Sequence, residues 1–512
     1  MRRPFRISVL VGVLVAFALV LFGEIKQAHA LPSFSRKYQT SCLTCHTIYP
    51  MLNSFGEAFR RNGYRFPSVK GSLDSDSIRG SEIALGQEEY VKLFPDSVFP
   101  DKIMEAVPLS IMLNGAITAN FPDSDAKAAA GNVISPNGVV GEAHIFAGGA
   151  FNDNLTYFAQ LTLSTEEGVD IETGYLLWND IVGPRHMVNL WLGRLMAPQL
   201  TSFALHSSYL SDSMLPAISI AGLYNPTGSF AVGQPHADGF ELNGIIAHRF
   251  GYSVGWLASS QAAGLGTIDA EDVYAHIGIK SGGVALDGEG KYGPNPYDSK
   301  RPWAEKSITL DLFAYHGMNL LDNGTGTPPD ASNPGGLAFQ PNPVGQKDSV
   351  GVLGGAIRAQ YESAILTAGL QFEHHDSPYQ GTPATFDYGS LSLTPGTPNT
   401  TSSGDAWVQY NELDYVIFPW LVPGVRTELT TMALDSTLGN GNRATLFRLI
   451  PGVATLIRPN IRLILTGDFE WAQGMPMAGG WDAAGGAIVA PGPNQASKIE
   501  AETITATMNM AF

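Results

Sequence analysis

Cys42-Leu43-Thr44-Cys45-His46 places two thiols three residues apart with an imidazole directly after the second, and the chain has no other cysteine. This C-x-x-C-H spacing is the one used for covalent c-type haem attachment. In a helical turn, thiols at that spacing face the same way, so each can bond one vinyl group while the adjacent imidazole serves the iron as proximal ligand. A structural disulfide, a thioredoxin-like pair and half a zinc site fit less well. The redox pair needs a surrounding βαβ pattern, and the zinc site needs a second ligand pair at finger-like spacing, which the sequence lacks. The segment predicts one covalently bound haem c and redox chemistry.

The residues that follow must position this motif. From Pro50 to Tyr64, Leu52, Phe55 and Phe59 fall at helical spacing and Gly63 is placed to cap the C-terminus, predicting one short helix after the haem helix. Residues 31–75 are too few to build a large core alone. The porphyrin would supply much of the buried apolar surface, packed by Tyr49, Leu52, Phe55 and Phe59. Arg60, Arg61 and Arg65 either pair with haem propionates or form a solvated basic face. The predicted cofactor-binding set is Cys42, Cys45, His46, Phe55, Phe59 and Arg60, with His46 as axial ligand. The sixth ligand stays open. Met51 could not reach the opposite haem face if the helix continued, whereas Met104 or a lumen-facing histidine could. A methionine there would raise the potential and a histidine would lower it.

Arg2, Arg3 and Arg6 precede an apolar run from Ile7 to Phe22, and Ala28-His29-Ala30 has the form of a signal-peptidase site. Residues 1–30 read as a secretory signal peptide rather than a retained anchor, because the apolar stretch is short for a spanning helix. A net charge of −17 argues against a nucleic-acid partner and favours encounter with cations.

Residues 76–107 read as a polar connector. From 108 to 512 the hydrophobic period becomes two. Leu109, Ile111, Leu113, Ile117 and Ala119 share one face; Leu155–Leu163 and Ile308–Tyr315 alternate likewise; Ile504, Ala506, Met508, Met510 and Phe512 share a face opposite Thr503, Thr505, Thr507 and Asn509. Counting such segments gives about sixteen antiparallel strands, an even number expected of an all-β transmembrane barrel, in which closure satisfies every strand edge in lipid. Long connections near 121–140, 196–238, 317–349, 375–404 and 474–497 fall on the outer side. Short turns at 151–154, 418–420 and 458–460 fall on the inner side, and the stretch from 285 to 306 breaks the partition. A soluble sandwich or propeller fits less well, as no blade-length repeat is present.

The motif residues resemble a known family, the outer-membrane fused cytochrome–porins of iron-oxidising bacteria. Ser41-Cys42, Cys45-His46, Pro50, Leu52, Phe55-Gly56, Phe59-Arg60 and Gly63-Tyr64 match its pattern, while Glu57 stands where that family often has a basic residue. The likeness covers about 35 residues, and the barrel is similar in architecture only. It implies oxidation of extracellular Fe(II) at a single c-type haem and passage of electrons to a periplasmic c-type cytochrome. Outer-membrane lipid would surround the barrel. Alternatives are a haem-plugged transport or redox-sensing barrel, and a conduit for another donor or acceptor. Glu373, His374, His375 and Asp376 are candidate outer contacts for Fe(II), by donor chemistry, or else a wetted strand end; His236 and Asp238 rank lower. Paired catalytic carboxylates, a nucleophile elbow and a phosphate loop are all lacking, which disfavours hydrolytic and nucleotide chemistry.

Overall fold

The computed structural model describes residues 33–38, 40–65, 82–84, 102–104, 109–122, 133–151, 154–164, 168–197, 208–210, 236–258, 272–289, 301, 303–321, 346–376, 385–387, 392–394, 404–433, 443–476, 479–481, 488–489 and 496–511. The predicted signal peptide and Phe512 lie outside them. Sixteen antiparallel strands close into one barrel. In chain order they are β1 Leu109–Pro122, β2 Val133–Ala150, β3 Leu155–Ser164, β4 Gly168–Trp178, β5 Asn189–Met196, β6 His236–Ile246, β7 Phe250–Leu257 and β8 Asp272–Gly282. There follow β9 Glu305–Leu321, β10 Gln346–Glu362, β11 Ala364–His375, β12 Gly404–Tyr415, β13 Leu421–Ala433, β14 Arg443–Arg458, β15 Ile461–Pro476 and β16 Ala496–Ala511. Each strand pairs with its sequence neighbours, and β16 closes the ring on β1 with Thr505 opposite Thr118.

The alternation is inverted relative to a soluble protein. On β8, Asp272, Tyr274, His276 and Lys280 are buried, whereas Val273, Ile277 and Ile279 are exposed. The same inversion exposes Ile308, Leu312, Leu353, Ile357, Leu366 and Leu370 while burying Asp311, Gln371, Glu412, Arg426 and Arg462. Polar side chains fill the lumen and apolar ones face outward, as lipid requires. Exposed aromatics gather at the rims. Phe151, Trp178, Tyr361, Tyr415, Phe418 and Trp420 sit at the end with the short turns, and Trp407, Phe447 and Trp471 toward the other. Such girdles mark the two membrane interfaces. The molecule has the build of a Gram-negative outer-membrane, porin-like barrel, and its short-turn end is the periplasmic one. No helix among the described residues is long and apolar enough to cross a membrane.

Several lumen carboxylates are paired with cations. Arg426 Nε lies 2.8 Å from Glu428, Arg448 reaches Glu428 at 2.9 Å and also binds Asp468, and Lys280 meets Glu305 at 2.9 Å. The inner turns at 151–154 and 459–460 are short as expected. The exceptional 285–306 connection has a structural reason: residues 283–289 fold across the inner mouth, with Ala285 and Leu286 buried and the backbone carbonyl of Asp287 accepting a hydrogen bond from Asn62 Nδ2 at 2.8 Å. Residues 82–84 and 102–104, within the expected connector, pair as a small two-stranded sheet that places Met104 opposite Glu82.

Candidate functional site

The N-terminal segment enters the barrel through its inner end. It comprises α1 Ser33–Tyr38, α2 Cys42–Cys45 and α3 Ser54–Arg61. Ser41 caps α2 by accepting from Leu43 N–H. The helix stops at once: His46 takes extended geometry, and His46–Ile48 pairs with Met51–Leu52 in a two-stranded turn. The expectation that Leu52 lies within the second helix is therefore corrected, since Asn53 begins it. Asn53 Oδ1 accepts from Phe55 and Gly56 N–H at 3.0 Å each, while its Nδ2 donates to the carbonyls of Leu43 and Thr44 at 3.2 and 3.1 Å. One side chain thus caps α3 and ties it to α2. The Asn53→Ala protein is expected to lose about 1 kcal/mol from the cap alone, read as faster protease cleavage of this segment within an intact barrel.

His46 is prepared as a ligand. Its Nδ1 lies 2.8 Å from the carbonyl oxygen of Pro50, which can only accept, so Nδ1 carries the proton and Nε2 keeps its lone pair. Burial lowers its pKa to about 4, against backbone hydrogen bonds with Pro50 and Met51, so the ring stays neutral. The two cysteines are not joined to each other. Burial, with Cys42 adding to it, pushes the Cys45 thiol up to about 12, the reverse of the lowered value that a thioredoxin-like pair needs.

Beside these three residues lies a cavity of about 660 Å³ inside the barrel. This falls in the range of sites that enclose an organic cofactor. Cys42, Cys45, His46, Tyr49, Leu52, Phe59 and Arg60 form its segment wall; His144, Phe158, Tyr175 and Trp191 are among the strand residues opposite. Of the predicted packing residues, Phe55 is displaced from the cavity and buries itself in a cluster with Phe59, Tyr64 and Leu177. The three arginines separate. Arg60 lines the cavity, Arg61 turns to the β8–β9 wall beside Lys280 and Glu305, and Arg65 pairs with Asp180 at 2.9 Å. Glu57 is buried against Arg60 at 3.3 Å and Arg61 at 4.0 Å.

Met51 is buried with Ile48, Val422 and Ile464, away from the cavity, for a reason other than helix continuation: the chain has already turned back. The lumen-facing histidine on the cavity wall is His144, bound to Asn114 at 3.0 Å and Thr162 at 2.9 Å. Glu142, His144 and Phe146 alternate along β2, a period-two signal that marks a common face once a lumen is assumed. The outer Fe(II) candidate needs correction. Strand alternation buries Glu373 in the lumen and leaves His374 half-exposed, paired with Asp405 at 2.6 Å and Asp376 at 3.3 Å. Side chains on opposite faces of one strand cannot share an ion. The side chains of His375 and His236 lie outside the described residues, and Asp238 lies opposite Arg194 in the β5–β6 ladder.

No family model and no curated protein matches the chain. Among solved structures, the barrel is similar to the outer-membrane protein OmpT of Vibrio cholerae, with a TM-score of 0.45, 9% identity, and 79% of this chain and 98% of that one covered. The anion-selective porin from Comamonas acidovorans gives 0.45, 11%, 79% and 98%. The outer-membrane channel DcaP of Acinetobacter baumannii gives 0.41, 10%, 80% and 97%.

Proposed function

We propose that the protein is an outer-membrane electron conduit whose N-terminal segment, exported behind residues 1–30, holds one covalent haem c inside the lumen. Extracellular Fe(II) would be the donor and a periplasmic c-type cytochrome the acceptor. The observation that carries this reading is the cavity with Cys42, Cys45 and His46 on one wall. When bound there, the haem supplies one-electron exchange at an iron ligated by His46.

The chain's own residues do the rest. Pro50 orients the imidazole, and the thiols of Cys42 and Cys45 anchor the group. Arg60 adds positive charge suited to propionates; its Nε has no hydrogen-bond partner among the described residues. Phe34, Tyr64 and Phe158 stack at 5.6 and 4.9 Å, and the run continues through Tyr175 to Trp191 at 5.8 and 5.2 Å, which keeps water from that wall. A hydrocarbon layer of about 30 Å insulates the two sides, so a relay within the barrel is what an electron needs. The carboxylates Glu142, Asp170, Glu172 and Glu241 give the cavity an acidic wall that favours a cation. The choice of Fe(II) rests on the resemblance of residues 41–64.

A second reading, a haem-plugged transport or redox-sensing barrel, is favoured by the porin-like build and by a segment filling one mouth. Stopped-flow absorbance separates the two. The oxidised protein in detergent, mixed anaerobically with Fe(II), is expected to develop the reduced c-type α-band rapidly. Reduction by dithionite but not by Fe(II) would move the function to another donor or to the plug reading.

A further inference from the structure

Three turns meet at the inner mouth around the end of α3: residues 179–188 between β4 and β5, 247–249 between β6 and β7, and 283–289 after β8. On them His248, Asp287 and Glu289 converge, and His186 lies beside Glu289. The ligand atoms of His248, Asp287 and Glu289 lie within 4.8 Å of one another. His248 Nδ1 is 2.6 Å from Asp287 Oδ2, and His186 Nε2 is 3.2 Å from Glu289 Oε1.

Two observations distinguish this cluster from a wetted polar patch. First, the Asp287 side chain is 4% exposed, and among the described residues neither Lys nor Arg pairs with it; its ionisable partner is His248, itself 49% exposed. A carboxylate buried without a full counter-charge is costly, and a cation would relieve it. Second, the His186 side chain is 1% exposed and turns Nε2 into the cluster, while its Nδ1 has no hydrogen-bond partner and stands 3.9 Å from Asp180 Oδ1. His186 therefore holds Glu289 Oε1 from outside the ligand set, as metal-binding carboxylates are ordinarily held by a further hydrogen bond.

We propose that this collar binds one divalent transition-metal ion through His248, Asp287 and Glu289, with His186 holding Glu289 in place. An imidazole and two carboxylates suit Zn(II), Fe(II) or Mn(II), whereas Ca(II) and Mg(II) prefer oxygen ligands throughout. Arg185, 3.1 Å from Glu289, and Arg65, 2.9 Å from Asp180, offset part of the negative charge, while among the described residues the Asp287 carboxylate meets His248 and the backbone N–H of Glu289. The ion would join strand turns that are distant in sequence. It would also fasten 283–289 onto α3, because the Asp287 carbonyl accepts from Asn62. None of the four residues lines the haem cavity, so the site stands independently of the haem.

The test uses the full-length protein in detergent, stripped with EDTA and dialysed against Zn(II), an ion without redox chemistry. The expected uptake is one equivalent per chain. The His248→Ala and Glu289→Gln proteins should each bind about tenfold or more weakly, and His374→Ala, at the far end of the barrel, should bind as wild type. Replacing half-exposed His248 leaves the barrel folded, which heat-modifiable migration on a gel verifies. A wild type that takes up no Zn(II), or one-equivalent uptake unchanged in both site variants, overturns the proposal.

Discussion

The His46→Ala protein is expected to lose the low-spin c-type spectrum of the proposed haem while the barrel still folds. The reasons are local. His46 presents the only cavity-lining imidazole on the segment, its proton is held on Nδ1 by Pro50, and burial keeps it neutral down to about 4. The other imidazole on the cavity wall, His144, already has both ring nitrogens in hydrogen bonds with Asn114 and Thr162. Serving the iron in place of His46 would cost His144 at least one of those bonds. Replacing both Cys42 and Cys45 with Ser should abolish covalent retention, so that acidified organic solvent extracts all the haem. An unchanged spectrum in His46→Ala would overturn the ligand assignment, and retained covalent haem in the double Ser variant would overturn the attachment.

Gly56→Ala should lose most of its haem although the substitution adds a single methyl. A Cβ at residue 56 would fall on the carbonyl oxygen of Cys45 and 2.8 Å from Leu52 Cδ2. The backbone of α2 cannot yield as a flexible side chain would, so α3 has to move away from the cysteine turn. Overpacking of this kind costs about 1–3 kcal/mol, and here it opens the cavity wall to which Gly56 itself contributes. Gly351, where an added Cβ meets nothing within 4 Å, is the control. Haem-to-protein ratio is the readout. Equal ratios in both variants would show that the α2–α3 contact does not set the site.

The barrel was largely legible because lipid imposes a strict period of two. Strands such as β8 show it without interruption, and the short inner turns followed from it. The cysteine turn and its following helix were legible because both are local, set by spacing and by the Gly63 stop. What alternation could not give was depth. Arg60, Arg61 and Arg65 are close in sequence, yet they meet the cavity, the β8–β9 wall and an inner turn, because α3 is surrounded on all sides. The Glu373–Asp376 candidate is divided by the same period that found the strands: Glu373 turns into the lumen, while His374 and Asp376 stay together beside Asp405. His144 and the collar at His186 and His248 join residues far apart in the chain, and only strand order brings them together.

The cavity is walled in part by Met112 and Asn114 of β1 and by Asn509 and Ala511 of β16, the two strands whose pairing completes the ring. That seam can form only after the last strand has been made. Residues 179–188 and 283–289 hold the end of the segment at the inner mouth, through Asp180 on Arg65 and the Asp287 carbonyl on Asn62. A group carried by the cysteines as proposed would lie against both the first and the last strand. On the proposed attachment, the cofactor would sit against the joint between the two ends of the chain, so haem loading and barrel assembly would meet at one place in the molecule.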